Sequence, residues 1–463
     1  MARTVARLAR RRSERPRFDL GDIQGNVLRG YTYPHAAYLF LRIDDPAKAR
    51  ALMARMLPQV ASAEEWTDGP PPTAMHVALT YPGLMALGLS DAILASFPDA
   101  FREGMAARAE RLGDRGPSAP ANWEPGLGTG EAHVLVTVYA LDAEKLDVAR
   151  LALKAVGAVG AVTVVQEQRA EALEGGLDHF GFSDGIAQPA IGGGGVQGRP
   201  GDGQPAGRGR WRDVAPGEFL LGHVDEDGGL PDAPAAPFDR NGTFMVYRKL
   251  AMDVAAFRRF IAEQGERFPG GPEALAAKIV GRWPDGTPLS VSPDRPDPEL
   301  VSDPARINDF TYGDDPHGLK CPVGAHIRRA NPRDADGFFG GKLSDRHRIV
   351  RRGRTYGPRL PDGLLEDDGI ERGLVFVCFQ SDIWRQFETI QALWIDDGDP
   401  FGLGADKDFL IGEPSGNGAG KMTIQGDPPF IVRPQPRFVT TRGGEYLFRP
   451  SISALRRLAD GSA

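Results

Sequence analysis

Two α+β units of the split-βαβ, ferredoxin-like kind, each built on an antiparallel sheet, are the fold this sequence predicts. Two observations carry that prediction: a strand-helix rhythm in the first half of the chain, and its recurrence in the second. In the first half, AYLFLRI over 37–43 reads as a buried strand, and 45–57 follows with helical spacing of Ala49, Leu52, Met53 and Met56. A second strand is expected over 75–80. HVLVTVY over 133–139 leads into an amphipathic run over 143–156 and a further strand over 161–166, giving roughly βαββαβ.

The second half starts again at Gly242 with TFMVYRKL and the helical DVAAFRRFIAEQ, then reaches GLVFVCFQSDIWRQFETIQALW over 373–394. Pairing 38–43 with 244–248, and 134–139 with 374–379, aligns the two units. The expected organisation is a basic tail over 1–20, an N-terminal unit over 21–195 and a C-terminal unit over 196–463. Long Gly- and Pro-rich stretches over 192–217 and 284–315 are expected to line or cover a site, because loops of this length are usually functional or disordered. GGGG at 192–195 is no phosphate loop: no strand immediately precedes it and the Lys-Ser/Thr of a Walker motif is missing.

Composition narrows the partners. The chain has 463 residues, 41% of them apolar, and 55 Lys and Arg against 62 Asp and Glu give a net charge of -7. That balance supplies no general drive toward nucleic acid or anionic lipid, so small molecules are the expected partners. Cys321 and Cys378 are the only cysteines, too few for a disulfide framework and outside any CxxC spacing, and read as structural thiols. Seven Arg fall in the first 17 residues, but no apolar segment follows them, and the longest apolar runs, such as 374–379, are far short of the roughly 18 residues a membrane span needs. A cytoplasmic protein with no membrane partner is expected, its oligomeric state left open.

Chemistry concentrates in two segments. GFSDGIAQP over 181–189 holds one acid, Asp184, between Gly181 and Gly185, an arrangement that lets a ligand approach the backbone closely, although Asp beside Gly is also ordinary turn chemistry. CPVGAHIRRANPRD over 321–334 surrounds the imidazole of His326 with Arg328, Arg329 and Arg333. A neutral imidazole ligates haem iron and nearby cations pair with propionates, whereas zinc would need a second His or Cys at close ligand spacing. Taken alone, a single His is more often a core or surface residue, and His347 in SDRHRIVRRG is equally ambiguous.

Joint occurrence shifts that balance. GFSDGIAQP, GAHIRRANPRD, HRIVRRGRTYG, GLVFVCFQ and FVTTRGGEYLFRPS occur in this order, and the series resembles the dye-decolourising peroxidase family. GDIQGNVLRGY over 21–31 is similar to the N-terminal motif of its longer members, so the likeness runs from residue 21 to about 457. The resemblance implies one haem b per chain between two ferredoxin-like halves, its pocket in the C-terminal half, and reduction of hydrogen peroxide with oxidation of aromatic donors such as dyes or phenols. It carries His326 over as proximal iron ligand, Asp184 as distal acid-base and Arg351 as distal arginine, with Arg352 adjacent as the competing choice. Gly353 stands where some members carry Asn. Asp408 matches the acid behind the proximal imidazole, with Asp406 competing, and Ile186, Gln188, Arg328, Arg333, Leu374 and Phe376 are the further cofactor contacts implied. Trp384, Trp394 and Tyr356 are candidate relays of electrons from bulky donors.

These residue types suit the implied reaction. A carboxylate shuttles the proton that must cross from one peroxide oxygen to the other, a permanently charged guanidinium meets negative charge on the leaving oxygen, and a carboxylate behind the imidazole makes it a more electron-rich ligand. A haem carrier or iron-release protein of the same fold is the alternative, and a non-haem enzyme using Asp184 as general base a third. Mere carriage needs no proton shuttle.

Overall fold

The computed structural model describes residues 18–157, 160–335, 342–414 and 420–463; the basic tail expected over 1–20 falls outside them except for its last three residues. In the N-terminal unit, β1 (His35–Ile43), α1 (Pro46–Met56), β2 (Thr73–Leu79), β3 (Val134–Ala140), α2 (Ala143–Gly157) and β4 (Val162–Glu171) follow the βαββαβ reading, with β4 running five residues past the expected end. The C-terminal unit supplies β5 (Thr243–Met252), α3 (Val254–Gly265), α4 (Gly271–Val280), α5 (His326–Ala330), β6 (Val350–Arg351), β7 (Arg354–Tyr356), β8 (Gly373–Gln380), β9 (Val439–Arg449) and α6 (Ile452–Asp460). Between β8 and β9 the sequence read as helical forms wide π-type turns over Ile383–Glu388 and Ile390–Ile395, a form concentrated at functional sites.

Local chemistry fixes where the helices start. The Asp45 carboxylate accepts from the backbone N–H of Ala47 and Lys48, Asp253 from Ala256 and Ser451 from Ala454, each satisfying a donor that the first helical turn leaves open. In α6 the residues at helical spacing, Ala454, Leu455, Leu458 and Ala459, are the buried ones.

One antiparallel sheet joins the two units in the order β4-β1-β3-β2-β9-β5-β8-β6, with β7 also paired to β8. The first four strands and the last four repeat one order of first, second, third and fourth strand, so the duplication read from the sequence is a duplication of topology. The units meet at β2 and β9, where Phe448 pairs with Leu79. The sheet curls until β7 reaches β4, where the Thr355 hydroxyl donates to the Glu171 carbonyl. Alternation along β1 feeds two cores: Ala36, Tyr38 and Phe40 point into the curl with Tyr139 and Tyr247, while Leu39 and Leu41 pack outward with Leu52 and Met53 of α1 and Leu455 and Leu458 of α6. Each such buried side chain contributes about 1.5–3 kcal/mol. A third core, with Phe257 and Phe260 of α3, Leu275 and Ile279 of α4, and Phe409 and Phe438, supports α5. Both cysteines are buried and free, and no helix among the described residues is long and apolar enough to cross a membrane.

Candidate active site

A cavity of about 350 Å³ lies against one face of the C-terminal strands. The period of two along a strand selects its wall: Arg248, Leu250 and Met252 from β5, Leu374 and Phe376 from β8, and Arg351 from β6. His326 of α5 and the segment 182–189 complete it, and Leu112, Gly113 and Asp114 add a margin from the N-terminal unit. The cavity therefore draws on both halves of the chain.

The glycines around Asp184 are required by the backbone, since Gly181 has φ +96° and Gly185 φ +76°, the left-handed region that side chains disfavour. The Asp184 N–H donates to the Gly176 carbonyl at 3.1 Å and its Oδ1 accepts from the Gly185 N–H at 2.6 Å. This leaves the carboxylate exposed in the cavity wall. Ile186 and Gln188 line the same wall, and Gln188 Oε1 accepts from the Arg351 N–H at 3.1 Å while Arg351 Nη2 donates to the Ala187 carbonyl at 3.0 Å. Those two bonds tie the acid-bearing loop to β6. Arg352, the next residue, points to the opposite face and donates from Nε to the Asn26 carbonyl at 2.9 Å.

His326 opens α5, and the approach of that helix depends on Gly281. This residue ends α4 at φ +98°, and a Cβ there would meet Ile327 Cγ1 at 2.5 Å. His326 Nδ1 donates to Asp408 Oδ2 at 2.9 Å, and Asp408 Oδ1 accepts from the N–H groups of Leu410 and Ile411, each at 3.0 Å. Burial opposes charge on the imidazole, but the Asp408 carboxylate outweighs it and raises the pKa of His326. In turn, burial opposes charge on Asp408, and the neighbouring imidazole together with the donated hydrogen bonds holds its pKa below the usual value. Of the two candidate acids Asp408 is the one beside His326, whereas Asp406 binds Lys421 Nζ at 2.7 Å and Thr423 Oγ1 at 3.1 Å. With Nδ1 committed as a donor, Nε2 is the unprotonated nitrogen of the neutral ring, and it has no hydrogen-bond partner among the described residues.

Three further guanidinium groups in the wall, Arg282, Arg333 and Arg348, carried no individual expectation except Arg333. Arg282 donates to the Gly286 and Ile307 carbonyls, Arg333 to those of Phe310 and Asn308, and Arg348 to those of Asp202 and Gly203. None has a carboxylate within ion-pair distance among the described residues. Burial pulls the pKa of each down to about 10, and proximity to other arginines adds to this. Buried cations without a counter-charge cost several kcal/mol each, so this wall is built for an anionic ligand. The Oδ1 of Asn331, also in the wall, is buried without a partner. A haem fits such a donor set, with an imidazole for the iron, an apolar face of Leu374 and Phe376, and uncompensated cations for the propionates.

Arg328 does not reach the cavity. It is buried in an ion pair with Asp315 at 3.1 Å, donates to the Cys321 carbonyl at 2.7 Å and lies over the Tyr312 ring, so its charge is already satisfied by the protein. The stretch over 192–217 is likewise absent from the wall, while 284–315 contributes Phe310 and Tyr312. Trp394 is buried in the wall, Trp384 stands exposed, and the Tyr356 hydroxyl donates to Glu371 Oε1 at 3.2 Å. Asp178 is in the wall too, six residues before Asp184 in the chain.

Comparison with known proteins finds relatives of both halves of the chain. The family model described as DyP dimeric alpha+beta barrel domain matches residues 22–172, and Dyp-type peroxidase, C-terminal, matches residues 232–401. The dye-decolorizing peroxidase msp1 of Mycetinis scorodonius is 32% identical over 470 residues, spanning 95% of this chain and 87% of that protein. A multifunctional dye peroxidase from an Amycolatopsis species is 31% identical, spanning 95% of this chain and 96% of its own length. Among solved structures, an ancestral D-type dye decolorizing peroxidase superposes with a TM-score of 0.83 at 32% identity, over 95% of this chain and 99% of that one. A dye-decolorizing peroxidase in complex with 2,6-dimethoxyphenol gives 0.82 at 28% identity, over 96% and 100%. With both halves matched in order and relatives aligned along nearly the full length, the chain belongs to the dye-decolourising peroxidase family and is a peroxidase.

Proposed function

We propose that the protein binds one haem b in this cavity and reduces hydrogen peroxide while oxidising aromatic donors, dyes or phenols. The observation that carries the reading is that His326, held from behind by the buried Asp408, shares one cavity with Asp184 and Arg351, and that the wall also holds carboxylate-free arginines. Haem, when bound, supplies the iron at which the peroxide O–O bond breaks and the store of oxidising equivalents. His326 Nε2 would ligate that iron, Arg282, Arg333 and Arg348 would meet the propionates, and Ile186, Leu374 and Phe376 would exclude water from its faces.

The chain's own residues then do the proton work. A carboxylate oxygen of Asp184 takes the proton from one peroxide oxygen and delivers it to the other, which leaves as water. The Arg351 guanidinium, held by Ala187 and through its backbone by Gln188, stabilises negative charge growing on that leaving oxygen without changing its own protonation. A phenolic donor is supported by the relative that binds 2,6-dimethoxyphenol. The chain divides into an N-terminal unit over 21–195 and a C-terminal unit over 196–463, and the cavity takes its wall from both.

Haem titration into the purified chain tests this directly. A Soret band is expected with wild type and Asp184→Asn, and its loss or shift with His326→Ala. Asp184→Asn is expected to slow the reaction with peroxide by at least about 100-fold. Unaltered peroxide kinetics in that variant, or a protein that stays colourless with haem, overturns the proposal.

A further inference from the structure

Asp178 is a carboxyl in the same cavity wall that the reaction above leaves unused. Its loop closes on itself: Leu177 pairs with Ser183, the Asp178 N–H donates to the Phe182 carbonyl at 2.8 Å, and the Phe182 N–H returns to Asp178 Oδ1 at 2.9 Å. That closure puts Asp178 beside Asp184, whose N–H is held by Gly176 at 3.1 Å within the same turn. The charged and titratable groups around it are Asp184 and His179 on the loop, Arg282, Arg351 and His326 in the same cavity wall, Asp285 against Ser183, and Arg359 and Arg372 on the side of His179, and none of these cations forms an ion pair with Asp178 among the described residues.

We propose that Asp178 is a positioning residue of the distal site, whose proton governs the pH range in which Asp184 passes the peroxide proton on. This rests on the reading of Asp184 given above. A carboxyl sunk in a cavity wall without an ion-paired cation resists ionisation, and the Asp184 carboxylate beside it adds to that resistance. Burial, opposed by the Phe182 N–H and reinforced by the nearby Asp184, pushes the pKa of Asp178 up to about 7, so Asp178 holds its proton below neutrality. During turnover the peroxide proton moves from the inner oxygen to Asp184 and from Asp184 to the departing oxygen; Asp178 exchanges nothing. Once Asp178 ionises, a second negative charge opposes both release of the proton from Asp184 and the growth of charge on the leaving oxygen.

Asp178→Asn keeps the acceptor for the Phe182 N–H and fixes the neutral state. Haem-loaded wild type, Asp178→Asn and Asp184→Asn are mixed with peroxide from about pH 5 to about pH 8.5 at constant ionic strength, and azide affinity of the ferric proteins is titrated over the same range. The wild-type peroxide rate and azide affinity are expected to fall about tenfold above neutrality, and both to stay within about twofold in Asp178→Asn. Asp178→Ser, which also retains an acceptor, carries the same expectation if the Asn variant loses haem. An azide profile in the Asp178 variants that falls as in wild type overturns the inference. Asp184→Asn reacting as fast as wild type overturns the reading of Asp184 instead, and the azide profile still reports on Asp178.

Discussion

The imidazole of His326 is anchored through Nδ1 to a carboxylate, Asp408, that is wholly buried and held by two backbone N–H groups. Because that anchor fixes the tautomer and makes Nε2 the more basic nitrogen, Asp408→Asn is expected to keep the fold and weaken haem retention or peroxide turnover by roughly 10–100-fold. The reduction potential of the ferric protein should rise in the same variant, since a less electron-rich ligand stabilises the oxidised metal less. Spectroelectrochemical titration of the two proteins checks it; identical potentials would show that Asp408 only positions the ring.

Arg351 and Arg352 separate by face. Arg351→Leu is expected to retain haem and to slow the peroxide reaction by about 100–1,000-fold, the range for removing one donor to developing negative charge. Arg352 is half-buried away from the cavity with its donors on Asn26 and Val27, so Arg352→Leu should lower the melting temperature and spare the rate constant of the folded fraction. Stopped-flow and thermal melts on both variants distinguish the two residues.

This pair also shows what the sequence could disclose. The alternation of a strand says that neighbours point to opposite faces but not which face holds the site, so the choice between Arg351 and Arg352 needed the sheet in place. The strands and helices themselves were legible because their apolar periods are long and clean, as over 37–43 and 133–139. The repeat of topology followed from that. The arginine wall was not legible: Arg282 and Arg348 lie 66 residues apart, each in a segment with no periodic pattern, and only the folded chain shows that carbonyls rather than carboxylates receive them. Arg328 misled for the same reason, since its counter-charge Asp315 sits 13 residues upstream in a loop.

Glu445 offers a pH test that is independent of haem. It is buried on β9 with Oε1 accepting from the Gly128 N–H at 2.6 Å and no cation in ion-pair distance among the described residues, and burial pushes its pKa up from 4.5 to about 8. Between those values the unfolded chain has lost the proton and the folded chain keeps it, so stability falls as pH rises through the window. Glu445→Gln removes that slope. The variant should match wild type near pH 4 and exceed it by a few kcal/mol near pH 8. Melting temperatures of the two proteins across the window decide it: parallel profiles would mean that Glu445 is solvated.

Gly281 links the end of α4 to the position of the imidazole. An Ala there costs about 1–2 kcal/mol for the left-handed backbone at φ +98°. Its Cβ also meets Ile327 Cγ1 at 2.5 Å, which only a shift of α5 or an altered Ile327 rotamer relieves. Gly271, at φ +81°, has the same backbone cost without the contact, since a Cβ added there would meet nothing within 4 Å. Gly271→Ala is therefore the control for strain alone. Both variants should melt lower than wild type by similar backbone contributions, but Gly281→Ala should lose further stability and release haem faster, because the residue pushed aside adjoins His326. Haem transfer to an excess of an apo acceptor protein measures that release, and equal rates for the two variants would show that α5 absorbs the methyl without moving its histidine.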